Sequence, residues 1–351
     1  MNKKIPVAVL GATGVVGQRF VQLLENHPWF EITALVGSDR SANLPYHEAC
    51  NWRIPGDPPE AIKEIIVSPL NTTMPARLVF SALPSNVAKE WEPKFAQAGY
   101  AVCSNAAAYR TEPDMPLIIP EVNGNHIDLI PRQQNRLTWP GFIVTSPNCT
   151  TTTAAIPLKP LHDAFGIQKL FLTSLQAFSG AGYPGLSALD IQDNIIPFVS
   201  GEEEKIELET RILLSHFTPD QQLPNDNILV SAQANRVPVI DGHTVCLSIK
   251  FKTKPTVAEA TQVLKNFQGS PIVQSLPSAP KHPVHVREEA DRPQPRRDRD
   301  TENGMAASVG RIRTCPIFDL RLVSVIHNAI RGAAGGAVLN AELLAAKGYL
   351  E

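Results

Sequence analysis

The sequence predicts an α/β protein built in two parts: a doubly wound parallel sheet, then an α+β part whose sheet is mostly antiparallel. Three observations carry this. Strand and helix patterns alternate through the first ~145 residues, the order that folds into a parallel sheet. The first strand runs straight into Gly11-Ala12-Thr13-Gly14-Val15-Val16-Gly17 and then a helix. From about residue 168 the texture changes to longer, partly alternating strand-like runs.

Taken in order, residues 7–10 are apolar throughout and form a buried strand, and residues 15–26 follow as an amphipathic helix. Residues 31–36 and 77–83 are the next strands, 87–99 a helix, 101–103 a strand, and 141–145 a short buried strand that leads into a helix over 151–161. Beyond the change of texture, 169–175, 230–235, 243–252 and 320–326 are strands, and 256–267 is a helix. A last helix, 328–347, is rich in Ala and Gly and suited to close packing on the first part. The division expected is a dinucleotide-binding domain over 1–147, a catalytic and dimerisation domain over 148–327, and a C-terminal helix, 328–351, returning to the first domain. The stretch 287–300 holds five Arg and five acidic residues, a balance that reads as a solvated loop.

A chain of 351 residues is long for one core and fits about two domains. Hydrophobic residues make up 43% and charged residues 19%, and the net charge is −2. That balance favours neither nucleic acid nor an anionic membrane. The apolar run near the N-terminus imitates a signal peptide but is short and ends in a glycine turn. No apolar run is long enough to span a bilayer. Five cysteines (50, 103, 149, 246 and 315) without a C-x-x-C pair argue against a disulfide framework and a zinc site, and for a reducing, cytoplasmic setting. His282 and His285 form the one close histidine pair; with no third ligand nearby they read as loop residues, and no metal is expected.

The glycine turn is a G-x-x-G-x-x-G variant of the dinucleotide fingerprint, which makes the first part Rossmann-like. Gly11 permits the tight turn, Gly14 lets a pyrophosphate approach the backbone with Thr13 and Val15 beside it, and Gly17 allows close helix–strand packing. Cofactor choice is read after the second strand, in Gly37-Ser38-Asp39-Arg40-Ser41. Arg40 with the hydroxyls of Ser38 and Ser41 suits the 2′-phosphate of NADP; Asp39 argues for NAD.

Cys149 sits in Ser146-Pro147-Asn148-Cys149-Thr150-Thr151-Thr152, where a strand turns into a helix. Helix N–H groups there favour a thiolate and can hold an oxyanion, so Cys149 is the expected nucleophile. Cys103 and Cys246 read instead as small buried hydrophobes. His243 follows the turn Ile240-Asp241-Gly242 and opens a strand, which suits an acid/base group, and Arg236 before it suits a bidentate grip on a carboxylate.

The glycine turn, Ser-Pro-Asn-Cys149-Thr-Thr-Thr, Arg236-x6-His243 and Asn328-x-x-Arg331-Gly-Ala-Ala-Gly-Gly336 together resemble the aspartate-semialdehyde dehydrogenase family. The likeness is greatest to its archaeal and fungal branch, with which the chain shares Asp291-Arg292-Pro293-Gln294-Pro295-Arg296 and the segment from Gly304 to Arg311. The resemblance spans essentially the whole chain. It implies NADPH-dependent reductive dephosphorylation of L-aspartyl 4-phosphate to L-aspartate 4-semialdehyde through a Cys149 thioester, in lysine, threonine, methionine and isoleucine synthesis. It further implies His243 as acid/base, Gln176 orienting the acyl group, Arg236 on the substrate carboxylate, Glu202 on its ammonium and Lys205 on its phosphate. Asn105 and Arg110 match a phosphate-site segment, and Ser179, Gly180, Gly182 and Asn340 would meet the nicotinamide end. Glu203, Glu204 and Glu207 leave the Glu202-x-x-Lys205 pair open to reading as an ordinary charged helix. The resemblance also implies a homo-oligomer, dimer or tetramer. Malonyl-CoA reductases share the cysteine chemistry and are the rival reading; a catalytically silent NADP-binding protein is a further one.

Overall fold

In a computed structural model, the chain is described over residues 4–351 and forms two sheets; the first three residues of the N-terminal reading lie outside it. The first sheet contains β1 (Ile5–Leu10), β2 (Phe30–Val36), β3 (Leu78–Ser81), β4 (Ala101–Ser104) and β5 (Phe142–Thr145) in the order β2-β1-β3-β4-β5, all parallel. Burial on both faces explains the unbroken apolar strands. On one face Val7, Val9, Phe80 and Val144 pack with Phe20, Val21 and Leu24 of helix Val15–Leu24 and with Val338 and Leu339 of the C-terminal helix Gly335–Ala346. On the other, Ala8, Leu10, Val79 and Val102 meet Phe95 and Ala96 of helix Ser85–Gln97.

The second sheet is β6 (Ile167–Ala177), β7 (Leu229–Val237), β8 (His243–Phe251), β9 (Val284–Val286), β10 (Ala307–Thr314) and β11 (Leu320–Ile326), in the order β7-β6-β8-β11-β10-β9. The β6–β8, β8–β11 and β10–β11 ladders are antiparallel, and the outer β6–β7 and β9–β10 ladders are parallel. Helices Cys149–Phe165, Glu202–Leu213 and Val257–Lys265 cover one face. The opposite face is more open: Phe171 is 42% exposed, and Cys246, expected as a buried hydrophobe, is exposed there. Strand alternation put Cys246 on the uncovered side between buried Val245 and Leu247.

Two expectations change for physical reasons. Helix Cys149–Phe165 runs through Pro157 and Pro160 and extends beyond the expected 151–161 at both ends. Pro157 has no N–H for the Thr153 carbonyl, and the Ser324 hydroxyl of β11 donates to it instead at 2.9 Å. The balanced stretch 287–300 is not merely a solvated loop. Asp298 is fully buried, accepts from Arg292 Nε at 2.7 Å and from the Gln294 N–H at 2.6 Å, and pairs with Arg287 at 2.9 Å. The folded stretch packs Pro295 against Gly242, just before His243; a Cβ on Gly242 would lie 2.9 Å from the proline Cβ. Among the described residues no helix is long and apolar enough to cross a membrane, and no cluster of three His, Cys, Asp or Glu could hold a metal ion.

Candidate active site

Both sheets direct the same ends of their strands at one cleft of about 600 Å³. Parallel strands bring their carboxyl ends together, so Gly11 follows β1, Asn105 follows β4 and Asn148 follows β5 at one edge. In the second sheet Gln176 and Arg236 are register partners near the ends of parallel β6 and β7. Antiparallel β8 begins at that end, which sets His243 beside them.

The cofactor side is made of backbone. Gly11 has φ +72°, and a Cβ there would lie 2.8 Å from the Ala82 carbonyl oxygen. A Cβ on Gly17 would fall 2.2 Å from the Gly11 oxygen and 2.7 Å from Ala12 Cα, so the helix can approach the turn only with glycine there. Helix Val15–Leu24 begins after Gly14 without a side-chain cap, and Gly14 and Val15 line the cleft. Uncapped N–H groups at such a helix start are an anion site. The Thr13 carbonyl accepts from Gln18 Nε2 at 3.0 Å. Beyond β2, Ser38 and Arg40 are exposed, and buried Ser41 donates its hydroxyl to the Ser38 carbonyl at 3.0 Å. Ser179, Gly180 and Gly182 line the cleft from the opposite wall. Asn340 is not brought to the cleft lining. It is 2% exposed and donates to the Ser146 hydroxyl at 3.2 Å and the Ile118 carbonyl at 3.3 Å, so it braces the approach to Cys149 from behind.

Cys149 opens its helix and lines the cleft. The cap is Asn148, whose Oδ1 accepts from Thr150 N at 2.8 Å and Thr151 N at 3.2 Å. Asn148 is itself clamped by helix Glu202–Leu213: its Nδ2 donates to Glu202 at 2.8 Å and its N–H to Glu209 at 2.6 Å. From above, Gly332 lies so close that a Cβ there would be 2.6 Å from Cys149 Cβ. Gly332 belongs to the π-helical turn Ile330–Ala334, whose Arg331 forms a buried pair with Glu121 at 2.5 Å. The helix terminus is not the only influence on the Cys149 thiol. Burial pushes the Cys149 thiol up to about 12 and the Glu202 carboxylate adds to this, against Arg110, Arg236 and the Thr150 N–H.

His243 is fully buried, and burial, then the Arg236 charge and His327, push it down to about 3. Its Nδ1 accepts the Ala177 N–H at 3.1 Å, which assigns the ring proton to Nε2, an atom without a protein partner. A Cβ on Gly180 would lie 3.0 Å from both His243 Cε1 and an Arg236 guanidinium nitrogen, so this cleft-wall glycine covers both side chains. Arg236 also donates to the Ala177 carbonyl at 2.9 Å. Gln176 donates to Glu202 at 3.1 Å. Asn105, Arg110 and Lys205 line the cleft with Cys149. Arg110 holds Glu209 at 3.2 Å and the Asn105 carbonyl at 2.7 Å, while Asn105 Nδ2 and Arg110 Nε have no protein partner.

The neighbouring glutamates separate by position: Glu203 and Glu207 accept from the N–H groups of Ala234 and Ala232 on edge strand β7, both at 2.9 Å, while Glu202 reaches the cleft cluster. Sequence reasoning missed Glu209 and named Asn328 and Gly332 only within the closing motif, without a role. Glu209 carried a signal, since seven residues from Glu202 is the same helix face. Asn328 Oδ1 accepts the Gly242 N–H and its Nδ2 donates to Ser179 Oγ, both at 2.8 Å, tying the His243 turn to Ser179 of the same wall.

Family models match both parts of the chain: the semialdehyde dehydrogenase NAD binding domain over residues 6–130 and the semialdehyde dehydrogenase dimerisation domain over residues 158–331. Aspartate-semialdehyde dehydrogenase of Methanothermobacter thermautotrophicus is 48% identical over 97% of this chain and 99% of the relative. That of Schizosaccharomyces pombe is also 48% identical, over 98% and 99%. The crystal structure of the Candida albicans enzyme with NADP superposes with a TM-score of 0.91 at 43% identity, covering 98% of this chain and 99% of that one. Sequence, fold and the arrangement around Cys149 thus agree, and the chain belongs to the aspartate-semialdehyde dehydrogenase family.

Proposed function

We propose that the protein reduces L-aspartyl 4-phosphate to L-aspartate 4-semialdehyde with NADPH, in the synthesis of lysine, threonine, methionine and isoleucine. The observation that carries this is the meeting, in one cleft, of a capped-helix cysteine with Asn105, Arg110 and Lys205, two of which keep unpartnered donors. The relatives named above favour an acyl phosphate over malonyl-CoA as the substrate.

Gly11, Thr13, Gly14, Val15 and Gly17 fit a pyrophosphate through the uncapped helix start, with Ser38, Arg40 and Ser41 toward the 2′-phosphate and Ser179, Gly180 and Gly182 toward the nicotinamide. NADPH, when bound, supplies the hydride that reduces the thioester. The Cys149 thiolate attacks the acyl carbon, the bond to the phosphate oxygen breaks, and inorganic phosphate leaves as the thioester forms. After reduction the C–S bond of the thiohemiacetal breaks, returning Cys149 and releasing the semialdehyde. Arg236 grips the α-carboxylate, Gln176 orients the acyl group, and Asn105, Arg110 and Lys205 hold the phosphate. Glu202 takes the ammonium, which offsets the negative charge that holds the thiol up. His243 is the acid/base. Its Nε2–H is set to donate to the adduct oxygen, and taking the thiol proton requires the ring to release the Ala177 N–H.

We further assign residues 1–147, with helix 328–351 packed back on them, to a dinucleotide-binding domain and 148–327 to a catalytic and dimerisation domain. The matched family segments support this division. A homo-oligomer follows from that dimerisation domain, and five free cysteines support a cytoplasmic setting. The test is reduction of NADP by the purified protein with aspartate semialdehyde, with and without phosphate, beside NAD and malonyl-CoA controls. Phosphate-dependent turnover is expected. Turnover with malonyl-CoA alone would overturn the substrate assignment.

A further inference from the structure

A further buried carboxyl lies behind the proposed phosphate site and takes no part in the chemistry above. Glu92, on helix Ser85–Gln97, is fully buried. One carboxyl oxygen accepts the Ser104 hydroxyl at 2.6 Å; the other has no partner within hydrogen-bond distance. The same Ser104 oxygen accepts the Ala106 N–H at 3.1 Å, shaping the turn that presents Asn105 to the cleft. Arg110, the other side chain of that turn, acts on Glu92 through its charge. A fixed negative charge at this place opposes an anion in the cleft, and a protonated carboxyl does not.

We propose that Glu92 is a positioning residue that makes the phosphate subsite proton-coupled: it holds a proton while the anion is bound and gives it up when the anion leaves. The coupling is reciprocal, so proton loss at Glu92 weakens anion binding as strongly as the anion favours the proton. Burial pushes Glu92 up to about 7, against the Ser104 hydroxyl and the Arg110 charge, so the change falls near neutral pH. Tyr109 and Arg110 face it from the segment after β4, with Glu112 beyond Tyr109. Lys89, Glu90 and Lys94 of its own helix are exposed. Glu209, bonded to Arg110 at 3.2 Å, is also pushed up by burial, and its share of any pH dependence remains in Glu92→Gln; Cys149 is pushed up to about 12 and His243 down to about 3.

The inference rests on the phosphate-subsite reading, and the experiment separates the two. Sulfate, a dianion at every pH used, is titrated as a competitive inhibitor against phosphate in the semialdehyde-oxidising direction. Wild type is expected to bind sulfate roughly three- to tenfold more weakly at about pH 8.5 than at about pH 6. In Glu92→Gln, which keeps an acceptor for Ser104, that slope is expected to flatten. Calorimetry of sulfate binding to wild type in buffers of different ionisation enthalpy is expected to show proton uptake near neutral pH, and needs no variant to fold. An unchanged slope in the variant, or a flat wild-type profile without proton uptake, overturns the proposal. An unchanged KM for phosphate in Asn105→Ala and Arg110→Lys would instead overturn the subsite reading itself.

Discussion

The two walls of the cleft are built by different means. The cofactor wall is a glycine turn and a helix start, where the chemistry lies in backbone N–H groups and in the side chains that are missing. The catalytic wall is a network of buried side chains, in which Asn148 alone touches Glu202, Glu209 and the helix it caps. The first tolerates no added atom at Gly11 or Gly17. The second tolerates no lost partner, because each leaves a buried polar group unsatisfied.

Paired glycine substitutions break this comparison most strongly. Gly17→Ala drives a Cβ into the backbone of Gly11 and Ala12, and we expect NADP affinity to fall at least about a hundredfold, or the protein to lose solubility. Gly332→Ala pushes on Cys149 instead. Its kcat should fall roughly a hundredfold while the NADP Kd, read by fluorescence titration, stays within about twofold. Equal loss of NADP binding in both variants would mean that the two walls are not separable.

A smaller effect is expected at Asn148→Ala, which removes the cap and a donor to Glu202. Unfolding by urea should show about 1–3 kcal/mol less stability, together with slower alkylation of Cys149.

The smallest effects are those of pH, and they have opposite signs on the two sides. His243, near 3, and His327, near 4, are depressed bases, so their contribution is complete above their unfolded value of about 6.5 and is lost as pH falls below it. We expect the Tm to fall by several °C between about pH 7 and about pH 5. Glu92, near 7, is a raised acid, so its contribution is present below its unfolded value and is lost as pH rises through about 7. Glu92→Gln should therefore gain on wild type in thermal melts above that pH, by at most about 3 kcal/mol.

The same contrast governs what was legible in the sequence. Gly11 and Gly17 announce the cofactor wall because a φ of +72° at the first and an approach near 2 Å at the second admit no other residue, and their spacing with Gly14 is local. Cys149 announced itself by its place between a strand and a helix. His243 and Arg236 were placed by strand ends, but their weight came from family resemblance, since only the fold brings β6, β7 and β8 to one edge. The burial and the Glu202 charge that oppose a Cys149 thiolate were not legible, because they come from elements far along the chain. That helix Cys149–Phe165 carries two prolines draws on the Ser324 hydroxyl, which lies far along the chain on β11. The stretch 287–300 looked solvated because charge balance does not reveal that Asp298 is buried between two arginines.

Covalent chemistry at Cys149 is tested most directly by trapping. The protein is incubated with aspartate semialdehyde and NADP without phosphate, quenched in acid, and its cysteine peptides are weighed by mass spectrometry. An aspartyl adduct on the Cys149 peptide, lost when phosphate is added before the quench, is the expected result. NADP reduction without an adduct, or an adduct on Cys50, Cys103, Cys246 or Cys315 instead, would contradict it.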